Sequence, residues 1–195
     1  MTKTLPNVIS LTRIVITPIF LWLLVIPQTT PRLIAALLFI IAGLSDWLDG
    51  RLARLWKAKS RFGQFIDPLA DKVFVLGTFF TLPLVVPEIP WYFVILVAIR
   101  DLGITALRSW AESNGQSIPT LYSAKVKTTI QFVFLGYVMT GLVLCEWPVA
   151  RPFVEPLLHG LPMQVLMLIT LVATLWTGFQ YVILVIRNGL SALEA

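Results

Sequence analysis

We expect an all-α integral membrane protein: six transmembrane helices plus an N-terminal interfacial amphipathic segment. Three observations lead to this. The chain is 57% hydrophobic and 13% charged over 195 residues, and its mean hydropathy of +0.86 leaves too little polar surface for a soluble globule. Its apolar residues gather in six blocks, most of them close to the roughly 20 residues that carry an α-helix across the hydrocarbon core. The turns between blocks alternate in chemistry, prolines at one set and cations at the other, as spans running up and down through a bilayer require.

The first block, 14–26, is short for a span, and residues 4–13 extend it as an amphipathic helix at the interface. No small-residue cleavage site follows it, so this segment is expected to remain in the protein. Pro27 and Pro31 mark the next turn; the second block is 33–56 and the third 62–86. Pro83, Pro87 and Pro90 precede the fourth, 91–110, and the fifth is 122–145. Pro148, Pro152 and Pro156 fill a loop before the sixth, 163–186. Residues 1–188 are thus expected to form a single membrane domain and 189–195 a short polar tail. Trp56, Trp91, Trp110, Trp147 and Trp176 mostly flank the blocks, where indole rings sit at headgroup level.

Lys3 and Arg13, the run Arg51 to Arg61, the run Arg100 to Lys127, and Arg187 fall at alternate ends of the spans, whereas the opposite turns hold Arg32 and Arg151. The positive-inside rule therefore puts both termini and the turn between the second and third blocks in the cytoplasm. The net charge of +5 is explained by anchoring to anionic headgroups, and nucleic acid is not expected as a partner. Cys145 is the single cysteine, which excludes an internal disulfide. His159, the single histidine, lies in an expected outer loop among prolines and is given no catalytic role.

The chemistry is concentrated in residues 45–72, SDWLDGRLARLWKAKSRFGQFIDPLADK, which hold four of the five aspartates. An ionised carboxylate at the bilayer centre costs about 2.5–3.5 kcal/mol on insertion scales, so these groups need partners. Asp46 and Asp49 are three apart, Asp67 and Asp71 four apart, so each pair shares a helix face. Carboxylates without His or Cys nearby are hard oxygen ligands that suit Mg2+, with Mn2+ as the other candidate. Gly50 and Ala53 leave the same face free of bulk, and Arg54, Lys57, Lys59 and Arg61 bring cations for phosphate next to ligands for metal. This combination points to phosphoryl chemistry.

Asp46, Asp49, Gly50, Ala53, Arg54, Gly63, Asp67 and Asp71 reproduce without a gap the DxxDGxxARx8Gx3Dx3D signature of the CDP-alcohol phosphatidyltransferases. The resemblance implies a six-helix membrane enzyme, commonly a homodimer, that uses two divalent cations to move a substituted phosphoryl group from a CDP-linked donor to an alcohol, with release of CMP. It implies that Asp46, Asp49, Asp67 and Asp71 hold the metal ions and that Asp71 also acts as general base. It further implies a donor site of Asp46, Asp49, Gly50, Ala53, Arg54, Gly63 and Asp67. Asn7, Ser10 and Thr12 join that site from the run PNVISLTR, which is similar to a PNxxTxxR run in the family, and so does Ser60, where members carry Ser or Thr.

A second basic set lies in the fourth and fifth blocks. RDLGITALR and AKVKTTIQ resemble the REx6R and GKxKTxxQ runs of bacterial phosphatidylglycerophosphate synthases, with Asp101 in place of Glu and Ala124 in place of Gly. By this resemblance Arg100, Arg108, Lys125 and Lys127 bind the phosphate of the acceptor. The substrates implied are CDP-diacylglycerol and sn-glycerol 3-phosphate, in a bacterial inner membrane with the site facing the cytoplasm. Inositol phosphate or serine as acceptor is the nearest alternative. A cation transporter built on the aspartates is the alternative of another class, although such a protein has no need of Gly50, Ala53 and Arg54. A prenyltransferase-like site does not fit, because the aspartate pairs are DxxD and DxxxD and not a compact DDxxD.

Overall fold

The computed structural model describes the backbone of residues 5–56, 61–113, 119 and 121–193, and the side chains of 11–45, 69–111, 113, 119 and 121–187. Among the described residues every regular element is a helix: α1 Leu5–Val25, α2 Thr29–Trp56, α3 Arg61–Val85, α4 Trp91–Ser113, α5 Tyr122–Cys145, α6 Arg151–His159 and α7 Leu161–Leu193. Six of these coincide with the six apolar blocks. α1 ends at Val25 because Ile26 precedes Pro27 and is driven out of the helical region. α2 opens on Thr29 with Pro31 in its first turn, where a missing N–H is harmless.

Residues 5–13 run into α1 without a break, so the N-terminal stretch extends the first apolar block as one helix. Two features differ in detail from the expectation. The proline-rich segment between α5 and the last apolar block contains the short helix α6; Pro152 falls in its first turn, and Phe153 and Val154 donate to the Ala150 carbonyl. α7 continues to Leu193, past the end of the last apolar block.

Two segments among the described residues, Tyr122–Cys145 and Arg151–Arg187, are long and apolar enough to cross a membrane, and Leu11–Val25 and Thr29–Ser45 are shorter apolar helices. Large apolar side chains stand on the outside of every long helix, among them Trp22, Ile40, Leu84, Ile99, Val133 and Trp176. In water such a surface would drive aggregation, whereas lipid would solvate it.

The chain divides into two compact units, Met1–Glu88 with Met139–Pro156, and Ile89–Val138 with Leu157–Ala195. In the first, α1 packs on both α2 and α3. The joint is aromatic: the Phe20 ring lies 5.1 Å from Phe74 and 6.4 Å from Phe39, and Phe39 stacks on Phe74 at 5.8 Å. α1 and α3 meet tightly at Gly77, where an added Cβ would stand 3.0 Å from Leu21 Cδ1 and press that side chain aside by a few tenths of an ångström. Hydroxyls buried here donate back to their own helices, Thr17 to the Arg13 carbonyl at 2.7 Å, Thr78 to that of Phe74 at 2.7 Å and Thr81 to that of Gly77 at 2.9 Å. Arg32, at the start of α2, pairs with Glu146 just past α5 at 2.5 Å.

Phe74 is the member of this cluster with most to lose. Phe74→Ala removes both stacks and opens a cavity between three helices, and because lipid supplies little hydrophobic driving force, packing carries most of the loss. We expect a destabilisation of about 3 kcal/mol, read as an earlier unfolding midpoint in detergent, with Phe74→Leu losing less than half as much.

In the second unit α4 packs on α7, and Phe93 meets Phe134 edge to face at 5.4 Å. The α7 face turned inward carries Thr170, Thr174, Thr177 and Tyr181, all buried. Their spacing of four, three and four places them on one stripe of the helix. The Leu121 N–H donates to Tyr181 Oη at 3.0 Å, and Ser123 Oγ donates to Gln180 Oε1 at 2.6 Å, which fastens the start of α5 to α7.

Candidate active site

The aspartate motif occupies the second half of α2 and the first half of α3. On the backbone, Asp46, Asp49, Gly50, Ala53 and Arg54 follow one another along the last three turns of α2, and Gly63, Asp67 and Asp71 along the opening turns of α3. Each aspartate pair therefore has the helical spacing that places its members on a common face. Of these residues Asp71 has a described side chain, half-buried. The side chains of Asn7, Ser10, Asp46, Asp49, Gly50, Ala53, Arg54, Gly63 and Asp67 lie outside the described set, as does Ser60 altogether.

Packing beneath the motif fixes its register. Phe39 precedes Asp46 by seven residues and Phe74 follows Asp71 by three, so the Phe20–Phe39–Phe74 cluster holds α2 and α3 one to two turns from the carboxylates. Ala70, next to Asp71, is fully buried, which seats this turn of α3 firmly. On α1, Thr12 is exposed and Arg13 is buried at 6% exposure. Among the described residues no three His, Cys, Asp or Glu side chains converge; three of the four motif aspartates are not among them. The donor set itself, four carboxylates in two helical pairs, matches a hard divalent cation and suits neither zinc nor a soft metal.

The four cations expected to bind the acceptor fall into two kinds. Lys127, buried, and Arg100, half-buried, meet in an ion-pair cluster: Lys127 Nζ donates to Asp101 Oδ1 at 2.8 Å and to Oδ2 at 2.9 Å, and Arg100 Nη1 donates to Oδ1 at 3.0 Å. Arg100 Nη2 donates to Thr177 Oγ1 at 2.8 Å, and the Gln131 amide lies 3.5 Å from Asp101 Oδ2 and 3.4 Å from Thr174 Oγ1. Arg108 is half-buried and Lys125 exposed. Arg108 stands seven residues beyond Asp101, two turns along the same face of α4.

Reading from the residues did not give a role to Thr174, Thr177 or Tyr181. The signal was present as a polar stripe, Thr170, Thr174, Thr177 and Tyr181 at helical spacing, in an otherwise apolar helix. Buried polar groups in a membrane helix find one another because nothing else there can satisfy them.

The family model for CDP-alcohol phosphatidyltransferases matches residues 3–177. The CDP-diacylglycerol–glycerol-3-phosphate 3-phosphatidyltransferases of Escherichia coli (strain K12), Shigella sonnei (strain Ss046) and Shigella flexneri serotype 5b (strain 8401) are each 34% identical to it over 183 residues, covering 91% of this chain and 92% of theirs. An intact aspartate signature on α2 and α3, and a match running through almost the whole of the helical body, have one meaning: the chain belongs to the CDP-alcohol phosphatidyltransferase family.

Proposed function

We propose that this protein transfers the phosphatidyl group of CDP-diacylglycerol to sn-glycerol 3-phosphate, giving phosphatidylglycerophosphate and CMP, as a step of phospholipid biosynthesis. The observation that carries the reading is the uninterrupted signature from Asp46 to Asp71 in a chain similar over nearly its full length to enzymes named for that reaction. The cations of α4 and α5 support a phosphorylated acceptor in preference to serine, which offers no phosphate for them.

In this reading the six long helices span a bacterial inner membrane, residues 5–13 carry the first of them into its interface, and both termini and the site face the cytoplasm. The protein works as a homodimer. Asp46, Asp49, Asp67 and Asp71 hold two Mg2+ ions, which when bound neutralise the donor pyrophosphate and the charge gathering on departing CMP. Asn7, Ser10, Thr12, Arg54, Ser60 and Gly63 receive the nucleotide end of the donor, and Gly50 and Ala53 leave room for it beside α2. Arg100, Arg108, Lys125 and Lys127 receive the acceptor phosphate, which orients the free hydroxyl. Asp71 takes the proton of that hydroxyl as its oxygen forms a bond to the lipid-bearing phosphorus. The bond from this phosphorus to the pyrophosphate bridging oxygen breaks, and CMP leaves with both electrons.

The test is CMP release by detergent-purified protein given CDP-diacylglycerol and Mg2+ with glycerol 3-phosphate, inositol 1-phosphate, inositol, serine or no acceptor. Release is expected with glycerol 3-phosphate alone, abolished by EDTA and restored by excess Mg2+. Release driven by another acceptor would keep the chemistry and replace the substrate. Ion flux in proteoliposomes without CMP would remove the reading altogether.

A further inference from the structure

The Arg100–Asp101–Lys127 cluster holds more than charge neutrality demands. Asp101 is 8% exposed and Lys127 5%, and in so dry a place an ionised carboxylate requires a cation. Lys127, bonded to both carboxylate oxygens, already meets that need. Yet Arg100 is brought to the same carboxylate from the neighbouring position on α4. Gly178 on α7 lies against its stem: a Cβ there would stand 3.0 Å from Arg100 Cγ, so the arginine would have to shift by a few tenths of an ångström. The far side of the guanidinium donates to Thr177 Oγ1, and its central carbon lies 5.9 Å from the centre of the Tyr181 ring. Two long cationic side chains from α4 and α5 are thus gathered on one short carboxylate, and one of them is braced against α7.

We infer that Asp101 is a positioning residue for acceptor recognition: it does not touch the acceptor, but holds Arg100 and Lys127 together as a preset pair of cations for an organic phosphate. The inference rests on the proposed role of those two residues in binding the acceptor phosphate. Left to themselves, two like charges repel, and each long side chain loses rotamer freedom when it is ordered around a ligand. The carboxylate removes the repulsion and fixes the rotamers before the acceptor arrives. Thr177 and Gly178 complete the device by fixing the direction from which Arg100 reaches it. A neutral amide at position 101 has the same size but only one acceptor oxygen and no charge, so it cannot hold both cations.

The experiment measures CMP release against glycerol 3-phosphate and against CDP-diacylglycerol for the native protein, Asp101→Asn, Asp101→Glu, and the exchange Asp101→Lys with Lys127→Asp, each accompanied by a thermal unfolding curve in detergent. Asp101→Asn is expected to raise the KM for glycerol 3-phosphate about tenfold or more and to leave the KM for CDP-diacylglycerol within about twofold of native. Asp101→Glu is expected to recover most of the acceptor affinity. The exchange is expected to recover the unfolding midpoint and not the acceptor KM, because the cation is then in the wrong place. An unchanged acceptor KM in Asp101→Asn, an equal rise in both KM values, or an exchange variant that recovers affinity along with stability would each overturn the inference and leave an ordinary structural ion pair. If Asp101→Asn does not fold, the Glu and exchange variants decide by the same criteria. A native protein whose CMP release ignores glycerol 3-phosphate defeats the acceptor reading before any variant is made, and this inference with it.

Discussion

Asp71→Asn is expected to lower kcat by about 10³-fold, the middle of the range for loss of a positioned general base. The change keeps the shape of the side chain and one oxygen, so it removes proton uptake while sparing much of the local packing. Asp71 sits half-buried on α3, beside the fully buried Ala70 and three residues before Phe74, and this firm seat argues against wholesale rearrangement in the variant. Binding of CDP-diacylglycerol in the presence of Mg2+, measured by calorimetry in detergent, is expected to survive at least in part. Normal turnover would remove the general-base role. Loss of donor binding equal to the loss of turnover would make Asp71 a metal ligand above all.

Arg108→Gln is expected to raise the KM for glycerol 3-phosphate by about 10–100-fold, the equivalent of one charge-assisted hydrogen bond worth roughly 1.5–3 kcal/mol. Lys125→Gln is expected to cost much less, several-fold at most, because an exposed cation is screened and contributes about 1 kcal/mol or less. The contrast follows from burial, Arg108 being half-buried and Lys125 exposed. Both variants should leave the KM for CDP-diacylglycerol near native. An effect confined to the donor would move these residues to the nucleotide end of the site.

The helical body was largely legible from hydropathy, because in lipid the backbone has no other way to satisfy its hydrogen bonds and each apolar block must become a helix. Ends were less legible. The continuation of α7 to Leu193 follows from helix propagation, which does not stop where hydropathy falls. Helix α6 was hidden by its prolines, which signal a turn until one notices that Pro152 falls in the first turn of a helix.

The aspartate motif was readable because its meaning resides in spacing along two helices, and spacing is a property of the chain. Asp46, Asp49, Gly50, Ala53, Arg54, Gly63, Asp67 and Asp71 need no tertiary contact to be recognised. The acceptor cations show where that kind of reading ends. Arg100, Arg108, Lys125 and Lys127 are alike as letters, and their common charge invited a common role. Tertiary packing separated the two lysines, because burial forces Lys127 to find a partner whereas exposure lets water serve Lys125. Only the folding of α4, α5 and α7 against one another brings Lys127 to Asp101 across 26 residues and Arg100 to Thr177 across 77, and no local pattern encodes a contact at that range.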